Sequence, residues 1–191
     1  KKTLTLQANS FNCNIIVMKQ TILVTGGTGF IGSHTSVELI EAGYNVVIID
    51  NLSNSKMEVV DGIEKITGVR PAFENVDLRD KEATEGVFKK YPGIAGIIHF
   101  AASKAVGESV QKPLLYYRNN IVSLVNLLEL MPKYNVKGII FSSSCTVYGQ
   151  PKPENLPVTE DAPHQKATSP YGNTKEINEQ IIYDYIHSGA N

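Results

Sequence analysis

Tryptophan is absent from the 191 residues, and cysteine occurs only at Cys13 and Cys145. Two cysteines are too few for a secreted disulfide framework or a zinc cluster, which makes a reducing cytoplasm the expected address. His34, His164 and His187 are too scattered along the chain to suggest a metal site, and no metal is expected. Charge of one sign is also lacking. The 18 basic and 19 acidic side chains leave a net charge of −1. A nucleic-acid or membrane-surface binder would show a basic excess or stripe, so neither partner is expected. No apolar run approaches the ~18 residues of a membrane span. Repeats and low-complexity tracts are missing as well. What remains is ordinary: 42% of the residues are hydrophobic, as in one globular domain. A chain this long buries roughly 70% of its unfolded surface, enough for a core without staples.

The first 17 residues have neither helical nor strand period. Gln7, Asn9, Asn12 and Asn14 interrupt every apolar stretch, so no signal-peptide core is present. Met18 stands just before a clean strand. The expectation is a natural start at Met18, a disordered extension over 1–17, and one domain over 18–191. The last residues, SGAN, follow a helix directly and do not read as a domain end. The domain is expected to be incomplete there.

Between these ends two textures alternate. Short β-branched runs lie at Thr21–Thr25, Tyr44–Asp50, Pro71–Val76, Ile94–His99 and Val136–Ser142. They are continuous rather than alternating, as strands buried on both faces of a parallel sheet are. Helical stretches fall at Gly32–Ala42, Lys56–Thr67, Asp80–Tyr91 and Pro113–Tyr134. Strand and helix in turn predict an α/β fold, a doubly wound parallel sheet of Rossmann type with helices on both faces. Gln150–Pro163, rich in proline, reads as a long surface loop. The Pro113–Tyr134 helix is apolar on more than one face, as a helix packed against both the sheet and a second subunit would be.

After the first run comes TGGTGFIGSH, with Gly26, Gly29 and Gly32 spaced G-x-x-G-x-x-G. The first allows a tight turn, the second lets a pyrophosphate approach the backbone, and the third lets the helix pack close on the strand. The helix N-terminus then offers free N–H groups and partial positive charge to an anion. Asp50 ends the second strand, 24 residues after Gly26. A carboxylate there accepts both ribose hydroxyls of adenosine and repels a 2′-phosphate, so the expected cofactor is NAD rather than NADP. Asp77 ends the third run. It either reaches the adenine edge or caps the helix that follows.

SPYGNTK places Tyr171 and Lys175 four apart at the head of a helix, on one face. An ammonium beside a phenol favours the phenolate, and the positive charge of a nicotinamide pushes the same way. Tyr171 is then a proton acceptor for a substrate hydroxyl. FSSSCTVYG puts Ser142, Ser143 and Ser144 just beyond the fifth strand, where the carboxyl ends of parallel strands form a ligand crevice. A serine hydroxyl there would bond the substrate oxygen and Tyr171. His99 reads as a satisfied core histidine and Cys145 as a small space-filler near the site.

The cradle TGGTGFIG, with HFAASKAVGESV, YYRNNI, FSSSCTVYG and SPYGNTK, resembles the extended short-chain dehydrogenases/reductases, and among them the UDP-glucose 4-epimerases, from about Lys19 onward. The resemblance implies roles residue by residue. Tyr171 is the catalytic base, Lys175 its helper and a grip on the nicotinamide ribose, and Ser144 the hydroxyl on the substrate oxygen. Phe30 and Ile31 meet the pyrophosphate through their backbone. Asp50, Asn51 and Asn54 form the adenosine-ribose loop, and Asp77 and Leu78 the adenine site. Phe100, Ala101 and Lys104 form the cofactor wall after the fourth strand, Lys104 also facing substrate. Asn119 and Ser142 are further cofactor contacts. The implied chemistry interconverts UDP-glucose and UDP-galactose through transient oxidation at C4 of the sugar. A homodimer through the long helices is implied too.

Two rivals differ in class. Nucleotide-sugar 4,6-dehydratases carry an Asp-Glu pair after their Ser/Thr, where Cys145 and Thr146 stand here. Without that acid, elimination lacks its proton donor. A non-catalytic NAD-binding sensor would not need Ser144, Tyr171 and Lys175 together. The resemblance also implies a C-terminal region that grips the uridine nucleotide and a strand beyond Asn191. The 191 residues alone are therefore expected to expose an apolar sheet edge and to turn over little substrate.

Overall fold

Five parallel strands, β1 (Thr21–Thr25), β2 (Asn45–Asp50), β3 (Ala72–Asn75), β4 (Ile94–His99) and β5 (Gly138–Phe141), lie in the order β3-β2-β1-β4-β5. The structure is a computed structural model that describes residues 19–189. The expectation for residues 1–17 lies outside the described residues. From β1 the chain winds outward through β2 and β3, then returns to the other side of β1 for β4 and β5. The winding reverses between β1 and β4, and that crevice is where open α/β sheets bind ligands.

The strands are shorter than the sequence suggests, for local reasons. Tyr44 spends its N–H on Leu39 O at the end of a helix, so β2 starts at Asn45. Val136 N bonds Met131 O, which closes a helix and keeps Val136 out of β5. Pro71 has no N–H to give a ladder.

Among the described residues there are six α-helices: α1 (Phe30–Glu41), α2 (Glu58–Thr67), α3 (Lys81–Lys90), α4 (Val106–Gln111) and α5 (Pro113–Lys133) lie between strands, and α6 (Pro170–His187) follows β5. Proline at the first position starts α5 and α6, where its missing N–H costs nothing. Helix α4 has no counterpart among the helical stretches expected from the sequence, because six residues are too few to display a period. The Gln150–Pro163 segment holds only a short 3-10 turn, Pro153–Asn155, and is otherwise a loop.

Alternate residues of each strand feed opposite faces. Leu23, Val47, Ile49 and Ile97 pack with Val87, Phe88, Leu124, Leu127 and Leu128 on one side. Val24, Val46 and Ile48 pack with Ile40 and Ile63 on the other. Burying each such side chain contributes ~1.5–3 kcal/mol before entropy is counted. The exception is the border strand β5, where Ile140 is 65% exposed.

Candidate active site

The glycine turn has no spare room. Gly26 has φ +67°, and a Cβ there would lie 2.7 Å from Ala101 N; one on Gly32 would lie 2.4 Å from Gly26 O. The turn, the start of α1 and the segment after β4 therefore touch through bare backbone. Gly29 is the N-cap of α1, and no side chain caps that helix. By contrast Asp80 caps α3 and Ser169 caps α6. The first N–H groups of α1, including those of Phe30 and Ile31, are left for an anion to satisfy. Both side chains point to solvent at this mouth, 77% and 59% exposed.

At the end of β2 the Asp50 carboxylate accepts from Leu52 N (2.9 Å), Ser55 Oγ (3.1 Å) and Thr28 N (3.3 Å). Thr28 and Ser55 hydroxyls also bond each other at 2.6 Å. Asp50 is thereby aimed at the glycine turn, and Leu52 sits at φ +56°, a left-handed conformation uncommon for leucine. Asn51 donates to Asp77 Oδ2 at 3.4 Å, which joins the loops after β2 and β3; Asn54 is exposed on the first of them.

Of the two readings of Asp77, the cap is overturned. Asp80 accepts from Ala83 N at 3.0 Å and starts α3, while Asp77 pairs with Arg79 at 2.6 Å and accepts its backbone N–H at 3.0 Å. Hydrogen bonding from Arg79 holds the Asp77 carboxyl down to about 2. Leu78 beside it is buried.

Beyond β4, Phe100 N bonds Thr25 O at 3.0 Å and Ala101 N reaches Thr25 Oγ1 at 3.4 Å. The same hydroxyl meets His99 Nδ1 at 2.6 Å. His99 is a satisfied core histidine, pushed down to about 3 first by burial and then by the Lys175 charge. Lys104 is exposed, but both its neighbours are pinned. Ser103 gives its N–H to Asn120 Oδ1 (2.8 Å) and receives Asn120 Nδ2 on its carbonyl (3.0 Å). Ala105 N donates to Tyr116 Oη at 3.1 Å, and that hydroxyl donates to Glu108 at 2.9 Å. Asn119 Nδ2 donates to Ser103 Oγ at 2.9 Å. Its Oδ1 is buried without a partner, as is Ser143 Oγ.

Helix α6 is docked against the end of β5. A Cβ on Gly172 would meet Thr146 Cβ at 3.1 Å, and Thr146 Oγ1 donates to Ser144 Oγ at 3.0 Å. The head of α6, which carries the half-buried Tyr171, thus lies beside the turn that carries Ser144 and Thr146. Lys175 is 4% exposed; its Nζ donates to Ser142 O at 2.7 Å and lies over the Phe141 ring at 4.7 Å. Burial pushes its pKa down to about 8, against the opposing charge of Glu179. The expected Tyr171–Lys175 contact takes a different form: among the described residues the ammonium binds the Ser142 carbonyl, not the phenol. Nor does Ser144 bond Tyr171. Its oxygen accepts from both Thr146 N (3.3 Å) and Thr146 Oγ1, so what it offers outward is its own O–H. Cys145 is exposed, not a space-filler.

The structure adds residues that the motifs did not single out. Asn120 Nδ2 also donates to Thr174 Oγ1 (2.9 Å), and Thr174 Oγ1 donates to Tyr171 O (2.7 Å). Asn178 Nδ2 donates to Asn120 O at 2.9 Å. This buried seam ties the Lys104 loop to the turn carrying Tyr171. A trace of it stands in the sequence as Asn120, Ser123 and Asn126 among the leucines of α5, an odd choice for a buried stripe unless the polar side chains find partners.

Residues 23–190 match the family described as GDP-mannose 4,6 dehydratase. A UDP-glucose 4-epimerase of Schizosaccharomyces pombe is 55% identical over 88% of this chain and 47% of its own length. One of Bacillus subtilis is 53% identical over 89% of this chain and 49% of its own. The crystal structure of the Bifidobacterium longum UDP-glucose 4-epimerase with NAD+ and UDP superposes with a TM-score of 0.84 at 48% identity, over 88% of this chain and 50% of that one. The chain spans about half the length of the curated relatives it matches. By fold, site and sequence together, it belongs to the GDP-mannose 4,6 dehydratase family, among relatives that are UDP-glucose 4-epimerases.

Proposed function

We propose that this chain is the cofactor-binding and catalytic part of a UDP-glucose 4-epimerase, with residues 18–191 forming the NAD domain. One observation carries the reading: the first turns of α6 lie against the segment that follows β5, Gly172 beside Thr146 and Lys175 on the Ser142 carbonyl, which brings the residues Tyr171, Lys175 and Ser144 to the carboxyl end of the sheet. The residues fit NAD. The glycine turn is one that a Cβ would fill, the α1 start has no side-chain cap, and Asn119 Oδ1 and Ser143 Oγ are buried without a partner among the described residues. Gly26, Gly29, Phe30, Ile31 and Gly32 would hold the pyrophosphate, and Asp50, Asn51 and Asn54 the adenosine ribose. Asp77 and Leu78 would hold adenine, and Phe100, Ala101, Lys104, Asn119 and Ser142 the nicotinamide end. When bound, NAD would supply the redox chemistry, reversible hydride transfer at C4 of the sugar.

The protein's part is proton and charge management. Tyr171 accepts the proton of the 4-hydroxyl and gives it back. Ser144, with both lone pairs occupied by Thr146, donates to that same oxygen and stabilises it as it becomes a carbonyl. Lys175 keeps a positive charge near the phenol and grips the nicotinamide ribose, and its burial makes that charge act through a low-dielectric surround. Lys104 faces the substrate from the opposite loop.

A dehydratase reading is favoured only by the family description. Cys145 and the Ser144-bound Thr146 supply no carboxyl acid at the position where elimination needs one. The whole protein is proposed to act in the cytoplasm as a homodimer through the outer sides of α5 and α6, where Leu114, Leu115, Val122 and Ile186 are exposed. The 191 residues alone are expected to turn over little.

The test is the full-length protein with UDP-galactose and no added coenzyme. UDP-glucose should form, and Tyr171→Phe should lower kcat by about 10²–10⁴-fold. A 4-keto-6-deoxy product, or NAD binding without any turnover, would overturn the reading.

A further inference from the structure

Asn119 and Asn126 are seven residues apart on α5, two turns, and share one face about 10 Å apart along the axis. Asn119 reaches the loop after β4 through Ser103. Asn126 reaches the turn after β3: its Nδ2 donates to Leu78 O at 2.8 Å and to Arg79 O at 3.2 Å. The side chain is 7% exposed, among Leu124, Leu127 and Leu128. A buried amide in such company is costly unless its polar atoms are satisfied, and here both N–H groups go to consecutive carbonyls of another element. Those carbonyls belong to the turn that presents Asp77 and Leu78. Glu129, one turn further along α5, pairs with Lys81 at 2.7 Å, so the helix follows this segment into the start of α3.

We infer that Asn126 is a positioning residue for the adenine end of the cofactor site. It fixes the Leu78–Arg79 peptides, and through them the height of the Asp77 carboxylate and the Leu78 side chain relative to the glycine turn. This rests on the NAD reading above. The role also explains the residue type. Leucine would pack at this position, but only a short donor of two hydrogen bonds reaches two successive carbonyls. One rigid helix then sets the spacing of two loops, through Asn126 at the adenine side and Asn119 with Asn120 at the other.

The test uses the full-length protein stripped of nucleotide, titrated calorimetrically with NAD, AMP and nicotinamide mononucleotide. Asn126→Asp preserves side-chain shape, removes both donors and sets a carboxylate against two carbonyls. Its Kd for NAD and for AMP should rise about tenfold, or about 1.4 kcal/mol, while that for nicotinamide mononucleotide stays unchanged. Asn126→Ser, which keeps one donor, should give a smaller rise with the same selectivity. It carries the test if the aspartate variant does not fold. General loosening of the domain would not single out the adenine half. If the wild type binds NAD and both folded variants bind AMP as it does, the inference fails and the cofactor reading stands. If the wild type binds neither NAD nor AMP, both fail.

Discussion

On the β2–β3 side of the sheet, charged groups stay near water and are held by their own loops. Asp50 is fixed by Leu52, Ser55 and Thr28, and Asp77 by Arg79 and Asn51. On the β4–β5 side, titratable groups are taken inside. Lys175 and His99 are nearly sealed from solvent, both packed against Phe141, and their partners are a carbonyl and a hydroxyl rather than a counter-charge. The first arrangement suits recognition, where a carboxylate must be well aimed and ionised. The second suits proton transfer, where burial shifts a pKa and amplifies nearby charge. A site of this kind costs stability on the reacting side and little on the recognising side.

The largest effect that tests this contrast is expected on the recognising side. Gly32→Ala places a methyl group where backbone already stands, 2.4 Å from Gly26 O. The cradle has to open, and NAD affinity should fall more than 100-fold, with a loss of about 1–3 kcal/mol in unfolding free energy. Calorimetry and urea melts would read the two separately. Equal NAD affinity in the variant would show that the turn is not the anchor.

On the reacting side, Lys175→Met should cut turnover and alter the pH dependence of stability. Because the folded pKa is lowered to about 8, the unfolded chain holds the extra proton between pH 8 and about 10. Stability of the nucleotide-free protein should therefore rise with pH across that window, by up to about 3 kcal/mol from this group. Tyr91, Tyr116 and Tyr134 are raised and oppose the trend only above the ordinary tyrosine range. The methionine variant should lose the rise. Urea midpoints at pH 7.5 and 9.5 check it, and identical slopes for both proteins would place Lys175 in water.

A smaller effect is expected at His99, whose pKa is pushed down to about 3. Between pH 6.5 and 4.5 the unfolded chain binds a proton that the folded one refuses, so stability is lost as pH falls. Asp77, held down to about 2, contributes its own loss only below the ordinary carboxylate range. His99→Phe should flatten the acid limb in the upper window, at a cost of about 1 kcal/mol at pH 7. An unchanged limb would mean that the ring titrates freely.

Legibility in the sequence followed the same divide. The glycine turn, Asp50 and the bounds of β1 and β4 could be read directly, because local spacing and strand burial dictate them. Tyr171, Lys175 and Ser144 could be placed near one another by topology, but their hydrogen bonds could not. Lys175 chooses Ser142 O over the phenol, and Thr146 claims the lone pairs of Ser144. Such choices depend on which carbonyl the fold leaves within reach. The polar residues of α5 stand out in the sequence, but the partners of Asn120 in Thr174 and Asn178 cannot be read for the same reason: they lie more than 50 residues away. Asp77 was ambiguous because two acids stand three apart before α3, and only backbone direction shows that Asp80 is the one at the helix start.

The border strand β5 has a consequence for handling the protein. Its outward backbone groups and the bare Ile140 form a template that accepts another strand running in the same direction. The same border accepts an antiparallel strand, so a two-fold rotation lets two such borders satisfy each other. Self-association of isolated chains through β5 would then close as pairs, and Ile140→Lys should keep them apart.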